Sequence, residues 1–254
     1  MNPESPCPSC GYVRQSTDQH VHEGLCPNCG IAYQKWRDKS KRLNEEPSLD
    51  SVQSSLRQSP RHSFSSSLAN VFLSVPESVP TPLFYGRLFI LIIFSVWGMY
   101  FIVGGIDWQR IGGSFLHSVI LPFHEFGHVL FIPFGRFMAI LGGSLFQVAM
   151  PLALMFAFSL KNKDNFAAGL MLWWCGQSFI DISPYILDAR YRALPLISGN
   201  ESGHDWGNLL TMTNSLDKTE LIAYSAFYIG SGLILVSIAW MGFILYKIKK
   251  QGLV

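Results

Sequence analysis

Leu83 to Ile106 reads LFYGRLFILIIFSVWGMYFIVGGI, with Arg87 as its only charge. At about 1.5 Å of rise per residue, a helix of that length crosses the roughly 30 Å of hydrocarbon in a bilayer. Working outward toward the C-terminus, four further runs are predicted as spans: Ile111 to Phe134, Phe137 to Leu160, Phe166 to Leu187 and Leu221 to Tyr246. No repeat relates them. Between Leu83 and Leu160 the only charges are Arg87, Asp107, Arg110, Glu125 and Arg136, whereas the residues before Leu83 are crowded with them. The 254-residue chain is 49% hydrophobic and 14% charged, against roughly 25% charged in a soluble protein, so its composition excludes an ordinary cytosolic globule. A net charge of +2, with no basic stripe interleaved with aromatics, argues against nucleic acid as a partner.

Toward the N-terminus the chain turns polar. Asn44 to Pro82 is rich in Ser and Pro with few large apolar residues, so it reads as a flexible tether. Before it, the basic stretch Lys35 to Arg42 suits either anionic headgroups or a solvated helix end. Further out stand Cys7-Pro8-Ser9-Cys10 and Cys26-Pro27-Asn28-Cys29, two matched knuckles each followed by Gly. That spacing presents four thiolates to one tetrahedral zinc. Four sulfur ligands close the shell, so this zinc is expected to be structural and the ribbon to serve folding or the docking of a cytosolic partner. Reduced thiols belong in the cytosol, which puts the N-terminus in the cytoplasm. Cys175, inside an apolar run, reads as a packed small hydrophobe.

The predicted organisation is thus a zinc ribbon over 1–36, a linker over 37–82 and a transmembrane domain over 83–250. The fold class is an all-α polytopic membrane protein of about five transmembrane segments with a small N-terminal zinc-ribbon module. Five simple crossings bring Arg136, Arg190 and Arg192 to the cytoplasm, as the positive-inside rule prefers. They also put Lys161, Lys163, Lys247, Lys249 and Lys250 outside, against the rule. Either the bias is weak or one segment is re-entrant or lies at the surface.

Within the second run stands His124-Glu125-Phe126-Gly127-His128, an HExxH. Its two imidazoles lie at i and i+4 on one helical face, close enough to share a zinc ion, and Glu125 suits the general base that activates a water there. Two imidazoles and a carboxylate in hydrocarbon cost several kcal/mol unless they face a cavity or a metal. Pro122 is expected to kink the span or start a new helix. His117 shares the face and suits either a hydrogen bond to a ligand or the lining of an interface.

A catalytic zinc needs a third protein ligand and an open fourth position. Asp181 and Asp188, in Phe179 to Arg190, and His204 and Asp205, in the polar stretch beyond, are the candidates. Asp181 matches the depth of the histidines if both helices are straight. Pro184 interrupts that span and favours Asp188 on unwound backbone. Gly142 and Gly143 suit close helix approach, Gln147 a substrate backbone or a place around the metal ligands, and Trp206 an interfacial anchor.

These residues resemble the intramembrane zinc metalloproteases of the site-two protease class. Gly143-Ser144-Leu145-Phe146-Gln147 is similar to that class's small-residue motif, with Gln where the class has Asn. Asp181 to Pro184 followed by Leu187-Asp188-Ala189 is similar to its ligand element, with Ala where the class has Gly. The resemblance is closer to a group of small bacterial membrane proteins that combine HExxH, Gly-Gly with a following Gln and Pro, Asp-Ala-Arg and His-Asp-Trp. Here these are Gly142, Gly143, Gln147 and Pro151, then Asp188 to Arg190, then His204 to Trp206. The resemblance covers roughly Phe115 to Trp206 and implies Asp188 as third ligand, with Asp181 beside it. It implies a metallopeptidase of the bacterial inner membrane, acting near the cytoplasmic face on membrane-embedded peptide or protein substrates.

The site expected is therefore Glu125 as catalytic base, His124, His128 and Asp188 on a catalytic zinc, and Gln147, Asp181, His204 and Asp205 around them. A second, structural zinc sits on Cys7, Cys10, Cys26 and Cys29. The alternative is a membrane protein without enzymatic activity, whose intramembrane metal is structural and whose ribbon recruits a partner.

Overall fold

The computed structural model describes residues 5–44, 70–195 and 203–254. It divides into two compact units, with the boundary between Arg61 and His62. Among the described residues the chain is helical, without a strand longer than the single bridge between Leu25 and Ala32. Most of the predicted linker lies outside the described residues. Its ends do not: Tyr33–Asn44 forms helix α1, and the stretch from Val71 to Val79 packs on the second unit.

The second unit contains α2 (Thr81–Gly104), α3 (Trp108–Gly112), α4 (Phe115–Phe131), α5 (Arg136–Ala157), α6 (Asn165–Leu187), α7 (Asp205–Met212) and α8 (Thr219–Lys250). The starts follow from local chemistry. Pro82 occupies the first turn of α2, where its missing N–H costs nothing. Asp107, Ser114 and Asp164 cap α3, α4 and α6 by accepting from the backbone N–H of Arg110, His117 and Ala167.

Among the described residues, four helical stretches are long and apolar enough to cross a membrane: Thr81–Gly104, Phe115–Phe134, Arg136–Asn162 and Leu216–Lys250. The fifth predicted span, α6, is 23 residues long but does not reach that apolarity, because Gln177, Ser178, Asp181 and Ser183 fall within it. These residues are buried, and so is most of α6, which packs against α5 and α8 and touches α2. Its polar groups face protein, not lipid. Outward, α2 exposes Phe89, Ile92, Val96, Tyr100 and Val103, the three-and-four spacing of a helix face turned to hydrocarbon.

Neither proline breaks its helix as expected. Pro122 lies inside α4 and Pro184 inside α6. Pro184 has no N–H for the carbonyl of Ile180, and the Ser183 hydroxyl donates to that carbonyl instead, at 2.7 Å.

Contacts define two ends of the bundle. At the first, Arg87 pairs with Asp164 at 2.7 Å, joining the starts of α2 and α6. There too, Trp240 and Lys247 of α8 donate to the carbonyls of Phe72 and Leu73, and Val79 donates to Leu253. The stretch after α5 returns to the same end, where Ser159 donates to Asn165. At the second end, Arg190 donates to the Leu216 carbonyl, joining the end of α6 to the approach to α8. Helix α4 enters and leaves near this second end: His117 meets Asp181, two turns before the close of α6, and Gly135 leads straight into the start of α5.

Candidate metal centres

Two groups of side chains can hold a metal ion. In the first unit, Cys7, Cys10, Cys26 and Cys29 bring four Sγ atoms within 4.8 Å of one another. None is in a disulfide. The knuckles are built alike. Gly11 donates its N–H to the Cys7 carbonyl and Gly30 donates to that of Cys26, with φ of 72° and 70°, left-handed values that glycine adopts without a Cβ penalty. Burial would raise the Cys26 thiol, but backbone N–H groups of Cys29 and Asn28 and the thiols of Cys10 and Cys7 outweigh it and hold the pKa down to about 6.

The second group is His124, His128 and Asp205. Each imidazole is fixed by its far nitrogen. His124 Nδ1 lies 2.6 Å from Gln147 Oε1, and His128 Nδ1 lies 2.8 Å from the Ala139 carbonyl. The Gln147 amide is itself oriented, because its Nε2 donates to the Ser178 carbonyl at 3.1 Å. Both Nδ1 partners are acceptors, so each Nδ1 carries the proton and each Nε2 presents a lone pair. The Asp205 Oδ2 atom lies 3.1 Å from one Nε2 and 3.3 Å from the other.

The two imidazoles rest on bare backbone. A Cβ on Gly143 would lie 2.6 Å from His124 Nε2 and 2.7 Å from His128 Nε2, so no larger residue fits under this group. The neighbouring Gly142 has a different task, since a Cβ there would lie 2.6 Å from the Gly127 carbonyl where α4 and α5 cross. The small-residue pair thus serves close approach at one position and the imidazoles at the next.

His124, His128 and Asp205 line a cavity of about 620 Å³ together with Glu125, Gln147, His117 and Asp181. His117 Nδ1 lies 2.9 Å from Asp181 Oδ1, so this pair forms a second polar wall of the cavity and neither side chain reaches the metal group. Asp188 does not join the group either. Its carboxylate accepts from the N–H groups of Ala193 and Leu194 at 3.0 and 2.9 Å and faces His204 Nε2 at 3.3 Å. The donor that converges on the imidazoles comes from the stretch after α6, where the resemblance had pointed to the end of α6 itself. Trp206, expected as an interfacial anchor, turns inward and donates to Ser144 at 3.1 Å. Cys175 is buried with its thiol toward the Val148 carbonyl, as a packed residue. Tyr185, which no motif marked, lines the cavity, and its hydroxyl accepts from the N–H of Asp205.

No protein-family model matches the chain, and searches of curated proteins and of solved structures likewise found no match.

Proposed function

We propose that the chain is a membrane-embedded zinc metallopeptidase whose site is His124, His128, Asp205 and Glu125. The observation that carries this is the convergence of two Nε2 lone pairs and one carboxylate oxygen on a cavity that also exposes Glu125. Three protein donors leave a tetrahedral ion one position for water or substrate, where four cysteines leave none. Zinc held there would supply a Lewis acid for a peptide carbonyl and acidify a water. Glu125 takes the proton of the attacking water and returns it to the departing amine. Gln147 and the Ala139 carbonyl keep both imidazoles in the tautomer that binds a cation. The test is the zinc-loaded protein in lipid vesicles with a library of transmembrane peptides, new amino termini being counted by mass spectrometry. Cleavage by the parent chain, reduced about 10²- to 10⁴-fold by Glu125→Gln with zinc retained, is expected. No cleavage by the parent, or equal cleavage by the variant, would refute it.

The protein sits in the inner membrane with its ribbon in the cytoplasm, where thiols stay reduced. The chain enters the bundle at the first end, which also carries Lys161, Lys163, Lys247, Lys249 and Lys250 beside Arg87. The second end carries Arg110, Arg136, Arg190, Arg192 and Lys218, interspersed with Asp107, Asp188, Asp217 and Glu220. Crossings by α2, α5, α6 and α8, with α4 inserted from the second end, put all five of those lysines on one face, which the positive-inside rule assigns to the cytoplasm. The cavity then lies near the face that bears the second end. Asp217→Cys should react with a membrane-impermeant maleimide on intact cells and Asn162→Cys only after lysis; the reverse pattern would invert this topology.

A further inference from the structure

Asp205 differs from the two histidines in where it stands. They sit on α4, a helix packed along much of its length on α5, whereas Asp205 is the first residue of the short helix α7. A carboxylate at such a place stays beside two imidazoles only if the backbone around it is fixed.

His204, the residue before Asp205, is fully buried. Its Nδ1 accepts the N–H of Gly207 at 3.0 Å, so Nε2 carries the proton and points it at the Asp188 carboxylate. The His204 ring lies on the ring of Tyr185, with centroids 4.3 Å apart and planes at 29°. The Tyr185 hydroxyl accepts the N–H of Asp205 at 3.2 Å. Asp188 also gathers the N–H groups of Ala193 and Leu194, so one carboxylate closes the turn after α6 and holds His204. On the other side, Trp206 is tied to Ser144 of α5.

We propose that Asp188, His204 and Tyr185 are positioning residues that set the Asp205 carboxylate against His124 and His128, and that Asp188 itself does not touch the metal. This rests on the metal-binding reading of that group. It accounts for the Asp-Ala-Arg and His-Asp-Trp elements together: the first supplies the anchor and the second supplies the anchored residue and the ligand.

The experiment uses the full-length chain, purified and loaded with zinc or with cobalt(II) as a spectroscopic substitute. Metal content, affinity and the visible cobalt spectrum are read for Asp205→Asn, Asp188→Asn and Tyr185→Phe. Asp205→Asn should lose the membrane ion and keep the ribbon's. Asp188→Asn should keep both, with the membrane ion bound about tenfold more weakly and the cobalt bands retaining the parent's donor set. Tyr185→Phe keeps the stacked ring and removes only the hydroxyl, so it should weaken the same ion by a few-fold. Loss of the membrane ion in Asp188→Asn with retention in Asp205→Asn would make Asp188 the ligand and overturn the assignment. Parent affinity in both Asp188→Asn and Tyr185→Phe would overturn it as well. A parent chain that holds only the ribbon's ion would remove the metal reading and the positioning role with it.

Discussion

The two metal groups of this chain are assembled by opposite means. The cysteine group takes its donors from two short knuckles, Cys7 to Cys10 and Cys26 to Cys29, whose geometry is set by a glycine turn at each. The histidine group joins residues as distant as His124 and Asp205, and every donor is oriented by a residue on another element. Four sulfurs close a shell, while two nitrogens and an oxygen leave it open. A closed group built locally depends on little beyond its own knuckles, whereas an open one built from distant pieces depends on the whole bundle.

The largest effect that can break this comparison is the loss of whole ions. The purified parent should hold two zinc ions per chain by elemental mass spectrometry. Cys7→Ser combined with Cys10→Ser should remove one, and His124→Ala should remove the other, each leaving its counterpart in place. Loss of both from either variant would mean that the sites are coupled.

Glycine sharpens the contrast next. Gly143→Ala forces a methyl group into both imidazoles and should weaken the membrane ion by about 100-fold, the upper range for changes around a metal ligand. Gly30→Ala meets open space and only an unfavourable φ, a cost of roughly 1 to 2 kcal/mol, so the ribbon should keep its ion and melt a few degrees lower. Competition with a chromophoric chelator and thermal melts would separate the two. Smaller still, Gln147→Ala should weaken only the membrane ion, by about tenfold, because His124 loses the acceptor that fixes its tautomer. An unchanged affinity would mean that the imidazole is oriented by packing alone.

How much of this was legible in the sequence depended on how local the physics is. The cysteine knuckles were readable because spacing alone places four thiols, and HExxH was readable because one helical turn puts both rings on one face. Hydropathy marked α2, α4, α5 and α8, while α6 falls short of that apolarity because its polar residues turn into the protein and are stabilised by burial there. The third donor was not readable. Asp181, Asp188 and Asp205 differ less in chemistry than in what surrounds them: Asp181 is taken by His117, Asp188 by His204 and two backbone amides, and only Asp205 reaches the imidazoles. Those partners are tertiary, and the carbonyl of Ala139 leaves no trace in the side-chain alphabet at all. Pro184 misled for a related reason, since a proline's lost hydrogen bond can be replaced by a neighbouring hydroxyl.

The bare backbone beneath His124 and His128 carries one more consequence. With no Cβ between α5 and the rings, the separation of the helices fixes where the nitrogens stand. Bilayers of different thickness tilt spanning helices by different amounts, and a tilt of α5 against α4 would pass to the donors with nothing soft in between. On the proposed metal-binding reading, the acyl-chain length of the surrounding lipid is expected to act on the affinity of this group.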